Sequence, residues 1–162
     1  MVFLVASFVH INQADAAEDK TPMFRPCTNA DFPGIWRMMR VEEKPIGAET
    51  VIFRDNTPFQ YVQFSVNGRY LFMQTNVEIQ DGKELLKSIA DATNDLGLSY
   101  TTDDKGTLII KNAEKITDQH SCYIALKTSG IFVKNNLVLS QGTKNPTPTS
   151  TTRIYRKIFA TK

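Results

Sequence analysis

One segment limits the fold more than any other: Phe59-Gln-Tyr-Val-Gln-Phe-Ser-Val66, then Asn67-Gly68, then Arg69-Tyr-Leu-Phe-Met-Gln-Thr75. Asn-Gly between runs of alternating apolar residues is the strongest short-range β-hairpin signal, because both residues tolerate the positive φ of a tight turn. A two-residue turn would set Val66 opposite Arg69, Phe64 opposite Leu71 and Val62 opposite Met73. Alternation then puts Val62, Phe64, Leu71 and Met73 on one face, which reads as core. The other face carries Tyr61, Gln63, Ser65, Tyr70, Phe72 and Gln74 and is amphipathic and aromatic. An isolated hairpin is marginal in water, so the rest of the chain must supply partners for these faces.

Most of those partners read as further strands. Residues 35–42, 49–54, 99–102, 107–111, 120–126, 137–141 and 150–159 are rich in β-formers and bounded by turn residues such as Asp103-Asp104-Lys105-Gly106. A polar loop, 142–149, carries Pro146 and Pro148 and joins the last two. One helix is expected at about 82–96, with Asp81 as N-cap, Glu84 three residues on and Gly97 as the stop. Its stripe of Leu85, Ile89, Ala92 and Leu96, joined by Leu86, must be buried, and the Tyr61/Tyr70/Phe72 face is the expected partner. The chain has 162 residues, enough for one domain, taken as 33–162. Residues 17–32, with Pro22 and Pro26, read as an irregular arm. Eight or nine short strands with one inserted helix give a mainly β fold, an antiparallel barrel or sandwich.

The start of the chain reads as an address. Val2–Val9 is an apolar run, followed by polar residues and then Ala14-Asp15-Ala16-Ala17. That order resembles a secretory signal peptide cut after Ala16, although no Lys or Arg precedes the run. A retained N-terminal arm is the alternative. Cleavage would remove His10 and leave His120 as the one histidine. The two cysteines, Cys27 and Cys122, agree with export to a secreted or periplasmic location. Paired, they would staple the arm to a late strand; the alternative is two unpaired thiols.

Two further motifs bear on the architecture. The first strand opens with Gly34-Ile35-Trp36, and the last carries Arg153-Ile154-Tyr155-Arg156-Lys157-Ile158. In both positions the chain resembles the lipocalin-like (calycin) superfamily, which implies an up-and-down β-barrel. The resemblance also implies that Trp36 closes the barrel floor beneath a stacked arginine. By alternation Arg156 shares a face with Ile154 and Ile158, so it takes that role here, with Arg153 as the alternative. The family's helix before the last strand has no counterpart in this sequence.

Chemistry-bearing patterns are few. The sequence offers no Gly-x-Ser-x-Gly elbow and no phosphate-cradling Gly-rich loop, and it implies no cofactor and no catalytic residue. His120 near Asp118 and Cys122 is too small a set for a metal site and reads as a strand histidine beside a disulfide. Asp91/Asp95 and Asp103/Asp104 read as a solvated face and a turn. A net charge of +2, with no basic stripe, argues against nucleic acid, and no apolar run approaches the ~20 residues of a membrane span. Arg40 alternates onto the Trp36/Met38 face, where it would meet a ligand carboxylate or lie at the rim.

The first reading is therefore a non-enzymatic exported barrel that binds a small hydrophobic or amphipathic ligand among Trp36, Met38, Arg40, Phe53, Phe64 and Met73. The second is a filled barrel acting as an interaction module, envelope-associated or inhibitor-like, through the Tyr61/Tyr70/Phe72 face. The third is a barrel enzyme using His120 with an aspartate.

Overall fold

A computed structural model describes residues 22–45, 47, 52–54, 58–92, 96–113, 115–143 and 149–160; the side chains of 52–54 and 143 are not among the described parts. The leader-like residues 1–16 and the loop residues 144–148 lie outside the described residues. In chain order the elements are β1 (Phe24–Pro26), a 3-10 turn (Asn29–Asp31), β2 (Gly34–Pro45), β3 (Ile52–Arg54), β4 (Phe59–Phe64) and β5 (Tyr70–Thr75). There follow α1 (Gly82–Ala92), β6 (Leu98–Thr102), β7 (Thr107–Asn112), β8 (Lys115–Ala125), β9 (Leu137–Thr143) and β10 (Thr149–Phe159).

Eight strands pair antiparallel in the order β5-β4-β2-β10-β9-β8-β7-β6. Consecutive long strands are neighbours, and β2 pairs with β10. At the seam, Arg69 bridges Ser99 and the Tyr100 amide donates to the Gly68 carbonyl at 2.8 Å. The fold is a nearly closed antiparallel up-and-down β-barrel with one helix, as the strand pattern and the resemblance led us to expect. The short β1 adds to β8 and β3 to β2. The expected arm thus contributes a strand and a turn, with Thr28 and Asp31 closing a capping box on the latter.

The hairpin forms, but its register differs from the expected one. Phe64 lies opposite Tyr70, and Val62 opposite Phe72. Three residues rather than two make the loop: the Gly68 amide donates to the Ser65 carbonyl, and the Ser65 amide donates to the Arg69 carbonyl. Gly68 alone takes a positive φ, +81°, while Asn67 does not. This is a type I turn closed by a glycine bulge, which Asn-Gly serves as readily as the two-residue turn. One residue of slip exchanges the faces of β5 relative to β4. The expected core face is therefore split. Val62 and Phe64 join Tyr70 inside the barrel, whereas Leu71 and Met73 join Tyr61 outside it.

That outer face is where the helix docks. Leu85 and Ile89 of α1 pack on Ile35, Tyr61, Leu71 and Met73, not on Tyr70 and Phe72. Asp81 caps α1 as expected, its Oδ1 accepting the amides of Lys83 and Glu84 at 2.8 Å. The barrel interior holds the larger cluster, including Phe32, Trp36, Met38, Phe64, Leu108, Ile124, Leu137, Leu139 and Tyr155.

A second irregularity lies where β2 meets β10. Met38 pairs with Tyr155, and Arg40 pairs with Ile154, so Met39 is an extra residue. The bulge reverses alternation along β2. Val41 packs against the interior cluster. Arg40, expected beside Trp36 and Met38, is carried to the opposite face, with its Nε 3.2 Å from Glu42.

Candidate functional site

The two ends of the barrel interior differ in chemistry. One end is a floor. Phe32 is fully buried, with its ring 4.8 Å from Phe64 and 5.4 Å from Tyr100. Trp36, 2% exposed, donates its indole N–H to the Phe32 carbonyl at 2.8 Å. A cation does stand over the indole, but it is Lys157, with Nζ 4.6 Å from the ring. The same Nζ donates to the carbonyls of Asp31 and Pro33 at 2.8 and 3.2 Å. Arg156 pairs with Arg37 and points away with Ile154, because the face those residues share is the outer one. Arg153 lies on the inner face but further up the barrel, opposite Val41 and Leu139. Gly34 has a backbone φ of +140°, and a Cβ there would fall 2.5 Å from the Phe159 carbonyl oxygen. Only glycine therefore fits at this position of the Gly-x-Trp opening. Beside it, Cys27 and Cys122 form a disulfide that spans 95 residues, as the cysteine count suggested.

The other end is polar and open. A cavity of about 160 Å³ lies inside the wall formed by β4, β5 and β7–β10. Inward positions of β8 place Asp118 and His120 there; β10 supplies Arg153 and Tyr155, and β5 supplies Tyr70. His120 is 4% exposed and its Nε2 is 2.7 Å from Asp118 Oδ2. Asp118 Oδ1 accepts from Gln141 Nε2 at 2.7 Å and from the Gln119 amide at 3.0 Å. Burial pushes the Asp118 carboxyl up, but the bonds from His120, Gln119 and Gln141 outweigh it and hold the group below its ordinary value. Burial raises both tyrosines, Tyr155 to about 12, so each keeps its phenolic proton at neutral pH. Two nitrogens in this cluster are buried and have no hydrogen-bond partner among the described residues, Nδ1 of His120 and Nη1 of Arg153. Among the described residues Arg153 forms no ion pair.

Of the side chains expected to line a ligand pocket, the structure brings together Trp36, Met38 and Phe64, but in the packed core. Met73 belongs to the outer cluster that packs on α1, although it also borders the cavity, and Arg40 is on the outside. The Phe53 side chain lies outside the described residues. Nor do Tyr61, Tyr70 and Phe72 form one surface: Tyr61 is fully buried with the helix, Tyr70 packs against the interior and Phe72 is 41% exposed. What the sequence reading missed is the partnership of Asp118, His120, Arg153, Tyr70 and Tyr155. A signal for two of its five members existed. Asp118, His120, Cys122 and Ile124 alternate on one strand face, and a disulfide cysteine marks that face as buried.

No family model, curated protein or solved structure matches the chain. Among the described residues no group of three or more His, Cys, Asp or Glu side chains is placed to hold a metal ion. No helix among them is long and apolar enough to cross a membrane.

Proposed function

We propose that this chain is an exported, lipocalin-like binding barrel that holds a compact amphipathic molecule at the polar end of its interior. The observation that carries this reading is the cluster of Asp118, His120, Arg153, Tyr70 and Tyr155 around one cavity, two of its nitrogens buried without partners. Leaving buried polar groups unmade costs about 1–3 kcal/mol each, so such a cluster is unusual in an interior that serves packing alone. At about 160 Å³ the cavity matches the size that takes a single benzene ring in an engineered protein core, which favours a small ligand over a lipid chain. The disulfide is compatible with an extracytoplasmic location, and the leader-like residues 1–16 support export.

The test is a thermal-shift and native mass spectrometry screen of the intact chain against small acids, phenols and fatty acids. A true ligand at about 100 times its Kd stabilises the fold by about 2.7 kcal/mol. Val62→Phe, which fills the cavity from the apolar side, should stay folded and lose that shift. Absence of any retained mass or shift across the screen would overturn the reading. Sequencing the N-terminus of the exported product should find Ala17 first.

A further inference from the structure

The hydrogen-bond needs of the polar end also specify what the occupant must carry. Asp118 is ionised and has no proton to give, so the 2.7 Å contact with His120 requires a proton on the imidazole Nε2. In the neutral ring that choice leaves Nδ1 as a bare acceptor, and Nδ1 is the nitrogen that lacks a partner. Arg153 presents the opposite demand. Its guanidinium is always charged, one of its nitrogens is buried without an acceptor, and among the described residues no carboxylate pairs with it. Among the described residues that line the cavity the one acid, Asp118, is already engaged by His120, Gln119 and Gln141.

From this, and resting on the binding role proposed above, we infer that the occupant is a small hydroxy-acid of about one ring, its carboxylate taken by Arg153 and its hydroxyl donated to His120 Nδ1. Tyr70 and Tyr155, both protonated, add neutral hydroxyl donors to the same wall, which suits an anion. Ile110, Leu139 and Val62 supply the apolar surface a ring would cover.

The experiment measures the affinity of para-hydroxybenzoate, benzoate and phenol for the intact chain by calorimetry. Para-hydroxybenzoate should bind about two- to tenfold tighter than benzoate, which lacks the hydroxyl for Nδ1, and at least about tenfold tighter than phenol, which lacks the charge-assisted bond to Arg153. Arg153→Gln should bring para-hydroxybenzoate down to the level of phenol while leaving phenol unchanged. His120→Phe should bring it down to the level of benzoate while leaving benzoate unchanged. The ranking on the unsubstituted protein stands as a test even if either variant fails to fold. If phenol binds as tightly as para-hydroxybenzoate, or none of the three probes binds, the hydroxy-acid assignment is overturned. Interior binding itself survives that result as long as Val62→Phe still abolishes a thermal shift from another compound in the screen.

Discussion

The floor of the barrel and its polar end share strands β8 and β10 and differ in whether their polar groups are matched. At the floor the Trp36 indole N–H, the Lys157 ammonium and the Asp31 carboxylate each have partners within the chain, Asp31 taking Arg25 at 2.8 Å. At the other end His120 and Arg153 keep an unmatched nitrogen beside a cavity. The first arrangement is what stability selects. The second gives up stability and is expected where a molecule is to be recognised, because groups already matched have nothing left to offer a ligand.

Substitutions should separate the two ends by sign. The largest effect belongs to the staple at the floor. Replacing Cys27 and Cys122 with serine should lower the free energy of unfolding in urea by about 4 kcal/mol, the size expected for a 95-residue loop. A loss below about 1 kcal/mol would mean that the arm is held by β1 and Phe32 alone. The next effect compares three cations on β10. Lys157→Met should cost about 0.5–1 kcal/mol through the contact with Trp36 and two carbonyls. Arg156→Met, on the exposed outer face, should change stability by less than about 0.5 kcal/mol. Arg153→Met should be neutral or stabilising, since it removes a buried unmatched nitrogen. If Arg153→Met were the most damaging of the three, the contrast between the ends would collapse.

The smallest effect is acid sensitivity. Burial pushes the Asp31 carboxyl up, but hydrogen bonds from Arg25 and Thr28 outweigh it, and Asp118 is likewise held below its ordinary value of 3.8. A folded-state value below the unfolded one means that both carboxylates stabilise the fold above about pH 4, and that this support is lost as pH falls through the lowered values. Urea midpoints measured from about pH 5 down to about pH 2 should therefore fall. Asp31→Asn and Asp118→Asn should each flatten part of the slope.

Much of this architecture was legible in the residues, and the failures share a cause. Strand positions and the helix with its Asp81 cap follow from local chemistry that one stretch of chain determines for itself; the disulfide was suggested by the cysteine count, and the role of Gly34 and Trp36 by the resemblance alone. The partners of those elements depend on register, and single extra residues decide it. The glycine bulge at Gly68 turned Leu71 and Met73 outward, and the extra residue Met39 turned Arg40 outward. Neither is distinguishable in sequence from regular alternation, because a bulge changes pairing and not composition. The cation over Trp36 illustrates the same point: Arg156 and Lys157 are adjacent and both basic, and only parity chooses between them. The polar cluster was harder still. Its members come from β5, β8 and β10, so no window of sequence contains it.

The pairing of β2 with β10 has a kinetic consequence. The β2–β10 ladder joins residues more than a hundred positions apart, such as Trp36 with Lys157 and Arg40 with Ile154. Local hairpins form in microseconds, but a chain whose last ladder joins its two ends must wait for a rare long-range encounter, and proteins of such topology fold in milliseconds to seconds. The lone tryptophan sits on that ladder. Its fluorescence in a refolding experiment should follow the slow formation of that ladder and ignore the fast turns that precede it.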